Sequence, residues 1–202
     1  MKSRPLTMLL PSHIQCFRAT LSEQEEIKQF HVPIHLETST RNEEERIVQE
    51  SCLHEDFPAL YSESDFEESM VWILRDEASN RIVGCVDLYV SPSIQTEFQV
   101  FATLEVAFQN RDEEINSKLR NGKQAWIRML SVHPMYRKQG LGRYLLTVAL
   151  EEARKQQVET VLLVTLPEVM QSAVKLYESE GFKLLERDRT THFLVDTMVR
   201  MV

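Results

Sequence analysis

The residues best suited to chemistry lie at positions 137–143, where two glycines, Gly140 and Gly142, stand among three basic side chains. An apolar, strand-like stretch (residues 125–132) precedes them, and a helical pattern begins at Leu141. Glycines at a strand-to-helix junction let the backbone turn sharply and leave amide N–H groups pointing outward, where the helix dipole also favours negative charge. Such a turn can hold a diphosphate with main-chain donors.

Three other structures use glycines at such a junction. A glycine pair alone is also typical of close packing between a helix and a sheet. A Rossmann site would need a third glycine where Leu145 stands, and no acidic residue lies at a strand end at the expected distance. A Walker A loop would need Gly-Lys-Ser/Thr, which does not follow. The turn therefore matches neither nucleotide fingerprint.

The elements that must position the turn follow from hydrophobic periodicity and chain breakers. Strands are predicted at residues 14–17, 71–74, 82–90, 125–132, 158–166, 182–185 and 193–201, with weaker strand character at 98–108. Helices are predicted from a cap at Thr20 or Ser22 toward Phe30, at 43–53, at 111–120, from Leu141 onward, and from Pro167 to a left-handed end at Gly181. The pattern predicts an α/β sandwich of helices around a mixed sheet.

Composition limits the class of protein. The 202 residues suit a single domain, residues 1–202, with an insertion at 91–123. Three separated cysteines without zinc-ligand spacing indicate reduced thiols and no metal site. A net charge of -8 disfavours nucleic acid as a partner, and no apolar run is long enough to span a membrane. We expect a cytoplasmic or nuclear protein.

Two motifs, met in order, resemble the GCN5-related N-acetyltransferases (GNAT). The first, Arg/Gln-x-x-Gly-x-Gly/Ala after a Leu-x-Val strand, is matched by Arg137, Gly140 and Gly142 after Leu130 and Val132. The second, Ala-x-x-Leu-Tyr-x-x-x-Gly-Phe, is matched by residues 173–182. The resemblance is specific over about residues 125–185.

The resemblance implies a GNAT-like α/β fold, with a mixed, mostly antiparallel sheet that splays at an acetyl-CoA site. The strand would offer backbone groups to the pantetheine arm, and the turn would bind the pyrophosphate. The implied cofactor-binding residues are Leu130, Ser131, Val132, Arg137, Lys138, Gln139, Gly140, Leu141, Gly142 and Arg143. Amides of four of them, Lys138, Gly140, Gly142 and Arg143, would donate to the pyrophosphate, with Gln139 and Leu141 lining the turn.

The resemblance also places Tyr177 where a phenol protonates the departing CoA thiolate, although a core aromatic is an equal interpretation. The base is open: Trp126 stands where many relatives have Glu, so Glu105, Asp87 or His133 are the candidates, acting directly or through water. Met170 replaces an Asn that is common in the family.

The implied function is transfer of an acetyl group from acetyl-CoA to a primary amine by direct attack in a ternary complex. The acceptor is open between a small amine, a peptide N-terminus and a lysine side chain, and a homodimer is also compatible. The alternative, motivated by Met170 and the missing Glu, is a non-catalytic CoA-binding module that regulates or interacts with other proteins.

Overall fold

The computed structural model describes residues 10–55, 69–91, 113–190 and 193–202. In chain order the strands are β1 (Ile14–Arg18), β2 (Ser69–Asp76), β3 (Arg81–Ser91), β4 (Gln124–Val132), β5 (Thr160–Thr165), β6 (Lys183–Arg189) and β7 (Leu194–Met201). The helices are α1 (Gln24–Ser39), α2 (Glu43–Glu55), α3 (Glu113–Asn121), α4 (Leu141–Lys155) and α5 (Gln171–Ser179). Short 3-10 helices cover Leu21–Glu23 and Pro134–Tyr136.

The seven strands form one mixed sheet in the order β1-β2-β3-β4-β5-β7-β6. The pair β4–β5 is parallel, and the other five pairs are antiparallel. The parallel pair is the crossover through α4, whereas the hairpins at each end need only short turns. The predicted mixed and mostly antiparallel sheet flanked by helices is therefore confirmed.

Along the central strands, apolar side chains point alternately to the two faces of the sheet, and both faces are buried under helices. On one face, Leu74, Val86 and Ala125 pack in a cluster with Leu145 and Ala149 of α4. On the other face, Ile27 of α1 packs with Val71, Ile73 and Cys85, and Ile115 and Leu119 of α3 pack with Trp126 and Leu162. The strand ends near the glycine pair are thus held rigidly between two layers of helix.

Helix α1 runs further than its sequence predicts. It continues to Ser39, past Phe30 and with Pro33 inside it. Proline removes one hydrogen bond from a helix interior, but Ile27 and Ile34 on either side of it are buried. Burial of this apolar face offsets the local cost.

Helix α5 begins later than predicted, at Gln171 instead of Pro167. The amides of Val169 and Met170 both donate to the carbonyl of Leu166, which closes a tight turn ahead of the helix. Met170 has φ -99° and ψ 38°, outside the helical region. Val169 is therefore not part of the helical stripe that contains Ala173 and Tyr177.

The expected strand at 98–108, most of the expected insertion at 91–123, and Glu105 lie outside the described residues. The C-terminal part of the expected insertion is described, and it forms the predicted charged helix, which is α3. Among the described helices, none is both long and apolar enough to cross a bilayer.

Helix α1 also carries a buried imidazole that should make the fold acid-sensitive. Burial and the neighbouring His35, whose ring lies 5.5 Å away, lower the pKa of His31 to about 3. The unfolded chain takes up this proton near pH 6.5, before the folded chain does, so the free energy of unfolding falls as pH drops from 6.5 toward 3. We expect a loss of roughly 3 kcal/mol by pH 4 from this group.

Denaturant unfolding of His31→Leu between pH 7 and pH 4 measures this effect. The variant should lose less stability over that range than the unsubstituted protein, because it has no proton to gain. His13→Gln, at an exposed position, is the control. Parallel pH profiles for His31→Leu and the unsubstituted protein would contradict the assignment.

Candidate active site

A gap opens in the middle of the sheet between β4 and β5. The two strands pair only at residues 124–126 and 160–162. Beyond that point neither strand pairs with the other: residues 127, 128, 131 and 132 pair with β3, and residues 163–165 pair with β7. Each strand therefore keeps one row of backbone groups directed at the gap. A linear ligand that carries amide groups could insert there and pair with either strand.

A β-bulge in β4 accompanies the gap. The register slips between Cys85 and Asp87 of β3, because β4 has an additional residue opposite them. Met129 adopts φ +54°, a left-handed conformation that is unusual for a residue with a side chain. Its carbonyl oxygen accepts a hydrogen bond from the Cys85 thiol at 3.1 Å. Bulges bend and twist a strand, so this one turns the end of β4 out of line with β5.

The glycine turn, residues 133–140, connects β4 to the N-terminus of α4. Lys138 and Gly140 both have positive φ, 62° and 82°. No described residue accepts a hydrogen bond from the backbone amides of residues 138–143, and the first helical bond runs from Tyr144 N to Gly140 O at 2.9 Å. A row of unpaired donors at a helix N-terminus is a site for an anion. It lies at the end of β4 that borders the gap.

Two of the three basic side chains of this region, Arg137 and Arg143, have partners within the protein. Arg137 donates from Nε to the Val132 carbonyl at 3.1 Å, and its Nη1 lies 3.9 Å from Glu37 of α1. Arg143 donates to Ser179 Oγ and forms an ion pair with Glu180, both at 2.9 Å, which ties α4 to the end of α5. Both guanidinium groups therefore brace the turn, and the main-chain amides of residues 138–143 are free to donate to a ligand.

Gln139 and Leu141 flank Gly140, and their side chains lie in different surroundings. The side-chain amide of Gln139 stays within the turn, where its Nε2 lies 3.4 Å from the Met135 carbonyl oxygen. Leu141 does not line it with its side chain, which is 2% exposed and belongs to the main apolar cluster. Only its backbone amide is placed for a ligand. The buried side chain of Leu141 thus fixes the start of α4, and with it the position of the neighbouring backbone amides.

Gly142 lies in the first turn of α4. A β-carbon added there would meet Leu176 at 3.6 Å and Val132 at 3.8 Å, which are ordinary contact distances. The close helix–sheet approach that a glycine pair also suggests is therefore not the reason for this glycine. Room beside the free amides is consistent with a ligand that passes close to the backbone.

Tyr177 lies on α5, on the same face of the sheet as α4. Its side chain is 7% exposed, its ring centroid is 5.9 Å from that of Phe182, and no described residue makes a hydrogen bond to its hydroxyl group. Burial raises the pKa of Tyr177 to about 12. The phenol thus stays protonated at neutral pH, as a proton donor must. Both earlier interpretations, core aromatic and acid, fit this one position.

The candidate bases differ in what the structure describes of them. Asp87 is fully buried on the face of the sheet that α1 and α3 cover, and Arg128 Nε lies 2.6 Å from its Oδ2. The Arg128 guanidinium also lies 4.8 Å from the centre of the Tyr89 ring. His133 sits at the start of the glycine turn, where its Nδ1 accepts from the Met135 amide at 3.3 Å. Glu105 lies outside the described residues.

Two of the positions that depart from the family pattern have structural roles. Trp126, where many relatives have Glu, is the last β4 residue paired with β5, and its ring is buried against Leu162 and Leu119. Met170 receives a weak hydrogen bond at its sulfur from Thr165 Oγ1, at 3.8 Å. Both positions therefore carry apolar side chains with contacts inside the protein, where the family often has polar groups.

One hydrogen-bonded pair beside the turn has almost no signal in the sequence. The Tyr136 hydroxyl donates to Asp76 Oδ2 at 2.6 Å, although 60 residues separate them. Hydrogen bonds from Tyr136 and from the Ser79 amide hold the pKa of Asp76 below its usual value. Its position in a polar hairpin link is the sole hint in the sequence that Asp76 has a specific partner.

Known proteins share this architecture. The family model "Acetyltransferase (GNAT) family" matches residues 35–182. No curated protein sequence matches the chain.

Solved structures match nearly the whole length of the chain. Arabidopsis thaliana NAA60 in complex with acetyl-CoA has a TM-score of 0.62 at 18% identity, covering 94% of this chain and 98% of that one. The NatC complex bound to Gag peptide and CoA has a TM-score of 0.59 at 16% identity, covering 94% and 99%. Mosquito arylalkylamine N-acetyltransferase like 5b has a TM-score of 0.60 at 16% identity, covering 94% and 100%. With the family model matching most of its length, the chain belongs to the GNAT family of acetyltransferases.

Proposed function

We propose that this chain transfers an acetyl group from acetyl-CoA to a primary amine in a ternary complex. The observation that carries the proposal is the row of unpaired amides at residues 138–143, beside the open gap between β4 and β5. Acetyl-CoA presents a diphosphate for the amides and a pantetheine arm with two amide groups for the gap. The family assignment supports an acyltransferase that takes its acetyl group from acetyl-CoA.

The chemistry then needs two proton transfers. The acceptor nitrogen, as a neutral amine, attacks the thioester carbonyl, and the resulting tetrahedral intermediate collapses with cleavage of the C–S bond. The sulfur leaves as thiolate and takes a proton, for which we propose Tyr177 as donor. The nitrogen loses a proton to a base, for which Glu105, Asp87 and His133 are the candidates, acting directly or through water.

The geometry favours a water-mediated route if Asp87 is that base. The carboxylate is fully buried and already in an ion pair with Arg128, so we propose that it would take the proton of the acceptor through a water molecule rather than by direct contact. An Arg partner also stabilises the ionised form of a carboxylate.

The acceptor class is the finer part of the proposal. Among the similar structures, one holds a Gag peptide and another is named for an arylalkylamine. Both classes carry the nucleophile that the proposed reaction needs, a primary amine. We propose a primary amine presented either on a small molecule or on a polypeptide, and the assay decides between them.

The experiment is CoA release from acetyl-CoA by the purified full chain, followed with a thiol reagent in the presence of three matched acceptor sets. These are aryl and polyamine small molecules, peptides with a free N-terminus and no lysine, and the same peptides N-terminally blocked with one internal lysine. We expect release that depends on one of these sets. Calorimetric titration with acetyl-CoA runs in parallel.

A non-catalytic CoA-binding module is the second candidate, favoured by the apolar Trp126 and Met170 at positions where the family often has polar groups. Binding of acetyl-CoA without acceptor-dependent release would establish it in place of the transferase. No binding at all would remove both candidates.

A further inference from the structure

Besides the contacts of Arg137, two hydrogen bonds fasten the glycine turn to β2 and β3. At its start, the His133 amide donates to the Val83 carbonyl of β3 at 2.9 Å. In its middle, the Tyr136 hydroxyl donates to Asp76 Oδ2 at 2.6 Å. The bonds from Tyr136 N to His133 O and from Arg137 N to Pro134 O stay within the turn. Tyr136 is thus the side chain that ties the centre of the turn to the sheet.

Asp76 is a rigid partner for this bond. It is the last residue of β2 and is 6% exposed. Its second oxygen, Oδ1, accepts from the amides of Ala78 and Ser79 at 2.7 and 3.0 Å, so the β2–β3 hairpin fixes the carboxylate. A short hydrogen bond to an ionised acceptor is stronger than one between neutral groups. The carboxylate therefore holds the phenol at a fixed distance from the sheet.

The segment that follows Tyr136 needs such support. Lys138, two residues on, is held at φ +62°, a conformation that costs free energy in any residue with a β-carbon. The Tyr136 ring also packs edge-on against His133, with centroids 5.8 Å apart. Held from both sides, Tyr136 fixes the point from which the backbone turns into the row of free amides.

We propose that Tyr136 and Asp76 are positioning residues for the diphosphate of acetyl-CoA, acting through the backbone of the glycine turn. The inference rests on the proposed function, since it takes the amides of residues 138–143 as the diphosphate site. Neither side chain needs to touch the ligand: their hydrogen bond sets the direction of the donors in advance, which lowers the cost of ordering the turn on binding.

Tyr136→Phe tests the proposal, because it removes one oxygen atom and keeps the ring. We expect the Kd and KM for acetyl-CoA to rise about tenfold, with kcat at saturating acetyl-CoA and the KM for the amine nearly unchanged, and the Tm to fall by about 2–4 °C for the lost hydrogen bond. A purely structural role would lower the Tm and leave the KM for acetyl-CoA alone. An affinity within twofold of the unsubstituted protein would overturn the proposal.

A second variant shows whether the two residues act together. Asp76→Asn keeps an oxygen for the hairpin amides but loses the charge, so we expect a loss of about threefold in affinity. The double variant should bind acetyl-CoA no more weakly than Tyr136→Phe does. If its loss of affinity instead equalled the sum of the losses in the two single variants, the two residues would not act as a pair. Tyr144→Phe is the control, because that phenol contacts Cys16 and not the turn.

The outcomes also separate this inference from the function on which it rests. If the unsubstituted protein shows no affinity for acetyl-CoA, the proposed function fails. If it binds acetyl-CoA and Tyr136→Phe binds equally well, the function stands and the positioning role is wrong.

Discussion

Replacing Gly140 with Asp should weaken acetyl-CoA binding by roughly a hundredfold, or about 2.7 kcal/mol. Gly140 has φ +82°, where a β-carbon costs about 1 kcal/mol, so the substitution shifts the turn toward other conformations. The new carboxylate would also stand beside the donors of residues 138–143, compete for them and repel a diphosphate. Titration calorimetry of acetyl-CoA into the purified variant measures the loss.

Gly181→Asp is a matched control for this substitution. Gly181 has nearly the same backbone conformation, φ +87°, and it follows α5 rather than preceding α4. The nearest atom to an added β-carbon is Arg200 Nε at 3.9 Å, so there is space for the side chain. We expect a comparable loss of stability but an affinity for acetyl-CoA within about twofold of the unsubstituted protein. Unchanged affinity in Gly140→Asp would remove the glycine turn as the diphosphate site.

Tyr177→Phe should lower kcat by about a hundredfold and leave the Kd for acetyl-CoA unchanged. The ring stays in the apolar cluster, so the variant loses only the proton donor. Because burial raises the pKa of Tyr177 to about 12, the phenol carries its proton at every pH below that value. The ratio of the two kcat values should therefore be constant between pH 7 and pH 9, as stopped-flow or steady-state CoA release can measure.

Tyr144→Phe again serves as the comparison, since it removes a partly buried phenol from α4 outside the proposed chemistry. Its kcat should match that of the unsubstituted protein. If Tyr177→Phe turned over at the same rate as well, Tyr177 would be a core aromatic only, and another group or water would protonate the thiolate.

The turn and the order of elements around it could be predicted because their signals are local. Gly140 and Gly142 follow an apolar strand and precede a helix with buried residues at helical spacing, all within one short stretch. Gly181 likewise marks the end of α5 by its own conformational freedom, and its φ of +87° confirms the predicted left-handed end. Local signals of this kind can be read from the sequence without knowledge of tertiary contacts.

The rest depends on contacts between distant segments. The bond between Tyr136 and Asp76 joins two separate turns, and neither residue type is unusual for a turn. The bulge at Met129 arises from pairing with β3, and a methionine in a strand gives no sign of positive φ. Helix α5 starts only at Gln171 because the residues before it form a turn closed by hydrogen bonds to the Leu166 carbonyl. Helix propensity alone does not predict that turn.

The limited pairing between β4 and β5 has a consequence for the protein as a whole. Four strands, β1 to β4, and three strands, β5 to β7, meet at only three residue pairs in this sheet. Exposed strand edges attract further strands, and here two such edges lie inside the molecule instead of at its rim. A bound pantetheine arm would supply hydrogen bonds to these two edges, so the co-substrate would complete the sheet of the enzyme that consumes it.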